Sequence, residues 1–308
     1  MISKKQKAIL FTILAGLLWG TSFPAIKIGL EYVDPLIFVF LRFLIASIVM
    51  FIAVLITGKF EFKINHKKLL LFLGITNGIA YLLQYIGMNY TTAAKASLFV
   101  NLTTIWVVLL SPKITGEHFD KKKTGGIIFA IIGLLLVTTN LNMQIINEGQ
   151  LFGDITVILA GVVWAVFIIY NKILVNKEKG VTQSIIWILP LTLIPMVPFV
   201  LFSSSSLSTI PIEGWAAIFY TAIFCWVIPY YLWVKGLKDI SATTSTILLL
   251  TEILVATSIS IVFLNEIITL INGIGAIFII VALVLVSKQS NNNSTKQKKL
   301  LKVTNQKQ

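Results

Sequence analysis

Ala15-Gly16-Leu17-Leu18-Trp19 returns 145 residues on as Ala160-Gly161-Val162-Val163-Trp164. Outward from that pair, later landmarks return at an offset of 149: Gly87 as Gly236, Ser97 as Thr246, Glu117 as Glu266 and Gly126 as Gly275. The extra residues fit inside loops. A common order and a near-constant offset mark a duplicated chain.

Both copies sit in long apolar runs. About 20 mostly apolar residues suffice to cross a hydrocarbon core as a helix. Ten stretches qualify, 8–27, 35–57, 68–88, 92–111, 123–140, 151–171, 182–202, 214–234, 241–263 and 267–287, numbered as segments 1 to 10. With 57% hydrophobic and 12% charged residues and a mean hydropathy of +0.92, the chain lacks the polar surface of a soluble protein. Continuous runs predict helices, because barrel strands would alternate in polarity. Segment 1 is expected to stay as a helix, since no small-residue cleavage site follows it. The expected fold class is therefore all-α integral membrane, with ten transmembrane helices.

The basic residues sort by side. If the N-terminus is cytoplasmic, 22 of the 25 basic residues fall in the N-terminus, the alternate inner gaps and the tail. The outer gaps hold only Lys27 and Lys95, and Arg42 lies inside segment 2. This positive-inside split predicts cytoplasmic N- and C-termini in a cell membrane. The net charge of +13 then reports topology and membrane lipids of an anionic inner leaflet, with no nucleic acid as partner.

Catalytic and metal chemistry find no support. The chain has one cysteine, Cys225, and two histidines, His66 and His118, which fall in inner loops. That inventory makes neither a disulfide nor a metal cluster. Phosphate-loop, HExxH and GxSxG motifs are missing, so neither an enzyme nor a cofactor is expected.

Five segments per half is an odd number, so the halves must cross the membrane in opposite directions. The expected organisation is a cytoplasmic N-terminus at 1–7, a first five-helix repeat at 8–140, a second inverted repeat at 151–287, and a disordered basic tail at 288–308. Inverted repeats around a midplane site are characteristic of secondary transporters, although channels and enzymes can also be duplicated.

Trp19-Gly20-Thr21-Ser22-Phe23-Pro24 in segment 1 and Leu41-Arg42-Phe43 in segment 2 carry a resemblance, as do the endings of segments 4 and 9 at Glu117 and Glu266. Together they resemble the drug/metabolite transporter superfamily, and most nearly its EamA-type ten-helix members, over residues 8–287. The resemblance implies a metabolite or drug exporter, often for amino acids, with a cavity lined by segments 1, 3, 4, 6, 8 and 9. This chain departs from the family in lacking the proline common early in segments 4 and 9, near Thr104 and Ile253.

Ionisable groups inside a membrane are functional candidates because burying them is costly. Glu252 lies 11 residues into segment 9, near the midplane, where it could carry a proton or pair with a substrate amine; otherwise it is a structural carboxylate. Arg42 reads as a structural or snorkelling charge, or as a clamp for a substrate carboxylate. Asn77, Tyr81, Gln84 and Tyr85 share one face of segment 3. The first three map onto Trp226, Tyr230 and Trp233 of segment 8, so two related helices present polar and aromatic stripes to one another. Tyr85 and Trp233, near segment ends, also suit an interfacial belt. Ser97, Asn101 and Trp19 complete the expected lining, with Asn101 alternatively bonding helix to helix. Gly126, Ala130, Gly133 and Gly275 read as close-packing positions, within one protomer or at the face of a homodimer. Glu117 and Glu266 read as loop-structuring acids at helix starts.

The function these features predict is secondary transport of a small organic metabolite (an amino acid, amine or drug-like solute), as efflux by alternating access. A lipid-headgroup flippase or a passive channel is the alternative.

Overall fold

The computed structural model describes residues 3–56, 65–91, 96, 99–139, 141, 151–177, 181–201, 207, 210–264, 269–271 and 273–285, and among them every regular element is helical. Segment 1 forms Lys4–Gly20 and Ser22–Gly29, segment 2 Pro35–Ile56 and segment 3 Lys67–Tyr90. Segment 6 forms Leu151–Lys177, and segment 8 runs from Ile212 to Leu237 through a π-helical turn at Ile223–Val227. These five helices are long and apolar enough to cross a membrane, while Phe99–Thr115, Ala242–Ala256 and Gly273–Leu285 are shorter apolar helices from segments 4, 9 and 10.

Local chemistry sets the boundaries. The Ser3 and Gln6 side chains each accept from the other's backbone N–H, closing a capping box before the first apolar run. Asp34 accepts from Leu36 N–H ahead of segment 2, and Ser241 accepts from Thr244 N–H ahead of segment 9. Segment 4 ends at Gly116, whose φ of 68° is the left-handed conformation that a helix C-terminus needs and glycine adopts without strain.

Packing follows an exchange rule. Segment 3 packs along segment 6 and segment 8 along segment 1; segment 4 packs on 6 and segment 9 on 1; segment 3 packs on 7 and segment 8 on 2. Each contact recurs when both partners are replaced by the segments five places away. The repeated Ala-Gly motif sits at two such crossings. A Cβ on Gly16 would collide with Thr251 Oγ1, and one on Gly161 would stand 3.0 Å from the Phe99 carbonyl and 3.3 Å from Thr103 Oγ1. Glycine is required there because each close approach brings a backbone up to its neighbouring helix.

Segments 4 and 9 both break despite lacking the family's proline. Helical hydrogen bonding shifts at Leu102 and again at Leu250, where Ile105 N–H donates to Leu102 O at 2.9 Å and Ile253 N–H to Leu250 O at 3.1 Å. These are tighter, three-residue steps. A threonine follows or closely trails each step and takes its hydroxyl to a carbonyl: Thr103 to Gly161 O at 2.9 Å, and Thr251 to Leu248 O at 3.0 Å.

The small residues expected of segments 5 and 10 are used within the chain. A Cβ on Gly133 would lie 2.8 Å from the Gly275 carbonyl, and Ala130, Leu134 and Ile279 are buried in the same cluster. Large apolar side chains such as Ile48, Phe51, Ile52 and Leu55 cover the outside of segment 2, as a surface in contact with lipid tails requires.

Candidate functional site

A cavity of about 120 Å³ opens where the two halves meet. Segment 3 contributes Asn77, Tyr81 and Gln84, segment 8 contributes Trp226, Tyr230 and Trp233, and segment 6 contributes Trp164, Phe167 and Ile168. Segment 1 adds Trp19, Ser22 and Phe23; the breaks in segments 4 and 9 add Asn101, Thr103, Thr104, Thr246 and Glu252. The implied lining by segments 1, 3, 4, 6, 8 and 9 is therefore what the helices build, and segment 2 joins it through Arg42. Ser97 and Glu266 lie outside the described residues.

The aromatic side chains form a connected wall. Trp226 donates its indole N–H to the Tyr81 hydroxyl at 2.9 Å, and its ring lies 4.2 Å from that of Tyr230. Tyr81 meets Trp164 edge-on at 4.8 Å. Trp233 stands 6.0 Å from Trp19 and donates to Ser245 Oγ at 2.8 Å. Tyr85 and Trp233 are buried and hydrogen-bonded inside the bundle, so neither belongs to an interfacial belt. Tyr230 accepts from the Asn171 amide at 2.9 Å, and Asn77 donates to Thr192 at 3.1 Å.

Charge enters at two places. Glu252, just after the break in segment 9, faces the Asn101 amide beside the break in segment 4, within hydrogen-bonding reach. Asn101 thus lines the cavity and bonds helix to helix at once. Arg42 is 1% exposed. Its Nη1 donates to the Tyr85 hydroxyl at 2.8 Å and its Nη2 to the Cys225 carbonyl at 3.1 Å. The snorkelling alternative is corrected by this inward orientation: the π-helical turn presents a backbone carbonyl in the interior, and the guanidinium takes it.

Three cavity-lining groups have no hydrogen-bond partner: Trp19 Nε1, Arg42 Nε and Gln84 Oε1. Buried polar atoms are nearly always paired; two donors and an acceptor left unpaired on residues of one lining suit a polar solute amid apolar rings. Among the described residues no group of three or more His, Cys, Asp or Glu is placed to hold a metal ion.

Away from the cavity, Glu117 is a linchpin at the lysine-rich end. Its carboxylate accepts from Lys123 Nζ at 2.9 Å and from the Ala242 N–H at 2.8 Å. It therefore caps the start of segment 9, a helix of the other half, rather than only the helix that follows it. Nearby, Lys172 Nζ donates to the carbonyls of Leu237 and Lys238 at the end of segment 8, where cations are favoured.

Among the lining residues that the sequence did not propose for the site are Trp164, Phe167, Thr104 and Ser22. Trp164 had a signal, since it is the repeat mate of Trp19. The other three are ordinary residues of apolar helices.

The EamA-like transporter family matches this chain twice, over residues 6–139 and 151–288. The chain belongs to that family and is a multi-pass membrane protein of a transporter class, not an enzyme class. An uncharacterized transporter of Archaeoglobus fulgidus is 29% identical over 78% of this chain and 83% of the relative. A probable amino-acid metabolite efflux pump of Escherichia coli is 27% identical over 74% of this chain and 77% of the pump. A solved crystal structure of a protein 18% identical in sequence has the same fold, with a TM-score of 0.75 over 92% of this chain and 98% of the other.

Proposed function

We propose that this chain is a ten-span secondary transporter of the cell membrane that exports a small organic metabolite by alternating access. The observation that carries the proposal is the cavity at the junction of the halves, where Glu252 and Arg42 stand among aromatic side chains and three residues of the lining each carry an unpaired polar atom. The exchange rule in the packing and the double family match support two inverted repeats. The name of the Escherichia coli relative, a probable amino-acid metabolite efflux pump, supports an amino-acid metabolite as solute and the outward direction. Both termini then lie in the cytoplasm, with the lysine-rich end against anionic lipid.

In this reading the solute lies against Trp19, Asn77, Tyr81, Gln84, Asn101, Trp226 and Tyr230. Ser97 stands one segment-4 turn from Asn101 in the sequence and belongs to the same proposed lining. Glu252 receives the ammonium group or carries the coupling proton. Rocking of one half against the other exposes the cavity to each side in turn.

The test is uptake of labelled amino acids and amines by proteoliposomes, with and without an imposed pH gradient. Saturable uptake of one class, enhanced by the gradient, is expected. Flux that does not saturate sinks the transporter in favour of a passive channel. No uptake, with headgroup-labelled lipid crossing the bilayer instead, makes the protein a flippase.

A further inference from the structure

Arg42 is the single arginine of the chain, and among the described residues no carboxylate stands within ion-pair distance of it. The rings of Tyr81 and Phe43 cover the guanidinium at 5.4 and 5.8 Å, which offsets only part of the cost of burying a charge. A cation buried in this way in the wall of a cavity favours an anion from the solute.

The hydrogen bonds show how the anion would dock. The edge of a guanidinium that matches a carboxylate is the fork of Nε–H and Nη2–H. Nε has no partner, whereas Nη2 is bound to the carbonyl of Cys225. Cys225 belongs to the π-helical turn Ile223–Val227, a widened turn whose ladder is locally broken. Trp226, the next residue, forms part of the cavity wall and is tied to Tyr81.

We infer that Arg42 is a carboxylate subsite, and that a solute carboxylate binds it by displacing the Cys225 carbonyl from Nη2, which releases the π-helical turn and moves Trp226. With Glu252 available for an ammonium, the class of solute is a zwitterionic amino acid whose apolar side chain lies on the rings. This rests on the transporter reading and adds to it: occupancy of the site by a carboxylate changes the conformation of segment 8.

Cys225 reports the event. It is the only cysteine of the chain; it is buried, with its Sγ 3.4 Å from Thr21 Oγ1, and it is not part of the cavity lining. The rate of its reaction with N-ethylmaleimide is measured in the reconstituted full chain with L-phenylalanine, 2-phenylethylamine or 3-phenylpropanoate, which differ only in their charged groups. Binding of each compound is followed separately by the shift in thermal unfolding. The two carboxylates are expected to change the rate about fivefold or more, and the bound amine to leave it unaltered. Arg42→Gln and Arg42→Lys, which lose the fork, are expected to lose the response.

Equal responses to the amine and the carboxylates overturn the exchange at Arg42 and leave the transporter reading standing. So does binding of the carboxylates without any change in rate. If none of the three compounds binds or is carried, the inference falls together with the amino-acid solute. The comparison of compounds on the unaltered chain decides the matter even where an Arg42 variant fails to fold.

Discussion

The Thr103 hydroxyl donates to the Gly161 carbonyl at 2.9 Å, tying the break in segment 4 to the glycine of the second Ala-Gly motif. Its mate is the approach of Thr251 to Gly16 in the other half. Both breaks flank the cavity, and at each a threonine stands against a glycine of the neighbouring helix, Thr103 bonded to that glycine's carbonyl and Thr251 to Leu248 O of its own segment.

Alanine at either glycine tests that closeness. Gly16→Ala places a methyl on Thr251 Oγ1, and Gly161→Ala presses on the Phe99 carbonyl. Overpacking of this kind costs about 1–3 kcal/mol. Thermal unfolding in detergent is expected at lower temperature for both variants, with Gly16→Ala the worse because its contact is the closer. Wild-type stability for Gly16→Ala would contradict the packing.

Tyr81 and Trp226 form a pair across the halves. Tyr81→Phe leaves a buried indole N–H without its acceptor and Trp226→Phe removes the donor, each at about 1–3 kcal/mol. The double variant is expected to cost less than the two single ones together, since both remove the same bond. Additive losses in unfolding free energy would mean that the bond contributes nothing.

Glu252→Gln keeps the shape and can still bond Asn101 but loses the charge. Uptake of an amine-bearing solute is expected to fall about tenfold or more, the scale of a charge-assisted bond, and its response to a pH gradient to vanish. Uptake at the wild-type rate with the same gradient response makes Glu252 a structural carboxylate.

Glu117 joins segment 4, Lys123 and the start of segment 9. Glu117→Gln removes the ion pair and weakens the cap, for a loss of about 1–3 kcal/mol. Uptake should change in rate with little change in apparent affinity, because the residue is remote from the cavity. A changed affinity with an unchanged rate would place Glu117 in the solute site instead.

Much of this was legible in the residues. Trp19, Asn77, Tyr81, Gln84, Asn101, Trp226, Tyr230 and Glu252 line one cavity because each is polar or aromatic within a helix whose remaining residues prefer lipid or core. Trp164, the repeat mate of Trp19, carried a signal in the sequence but was not singled out for the site. The orientation of Arg42 was not legible, since a lone arginine near a helix end is equally suited to snorkelling. Nor was the partner of Glu117, which lies 125 residues away.

From the residues alone follow apolar helices, a motif pattern that recurs along the chain, and the residue types that stand out against lipid. Those properties depend on transfer of side chains and backbone from water, and act locally along the chain. Tertiary structure alone decided that a π-helical turn would offer the Cys225 carbonyl to Arg42, that Glu117 would cap the opposite half, and that segments 4 and 9 would break without proline. Each of these depends on which backbone groups distant helices present to one another, and local periodicity carries no record of that.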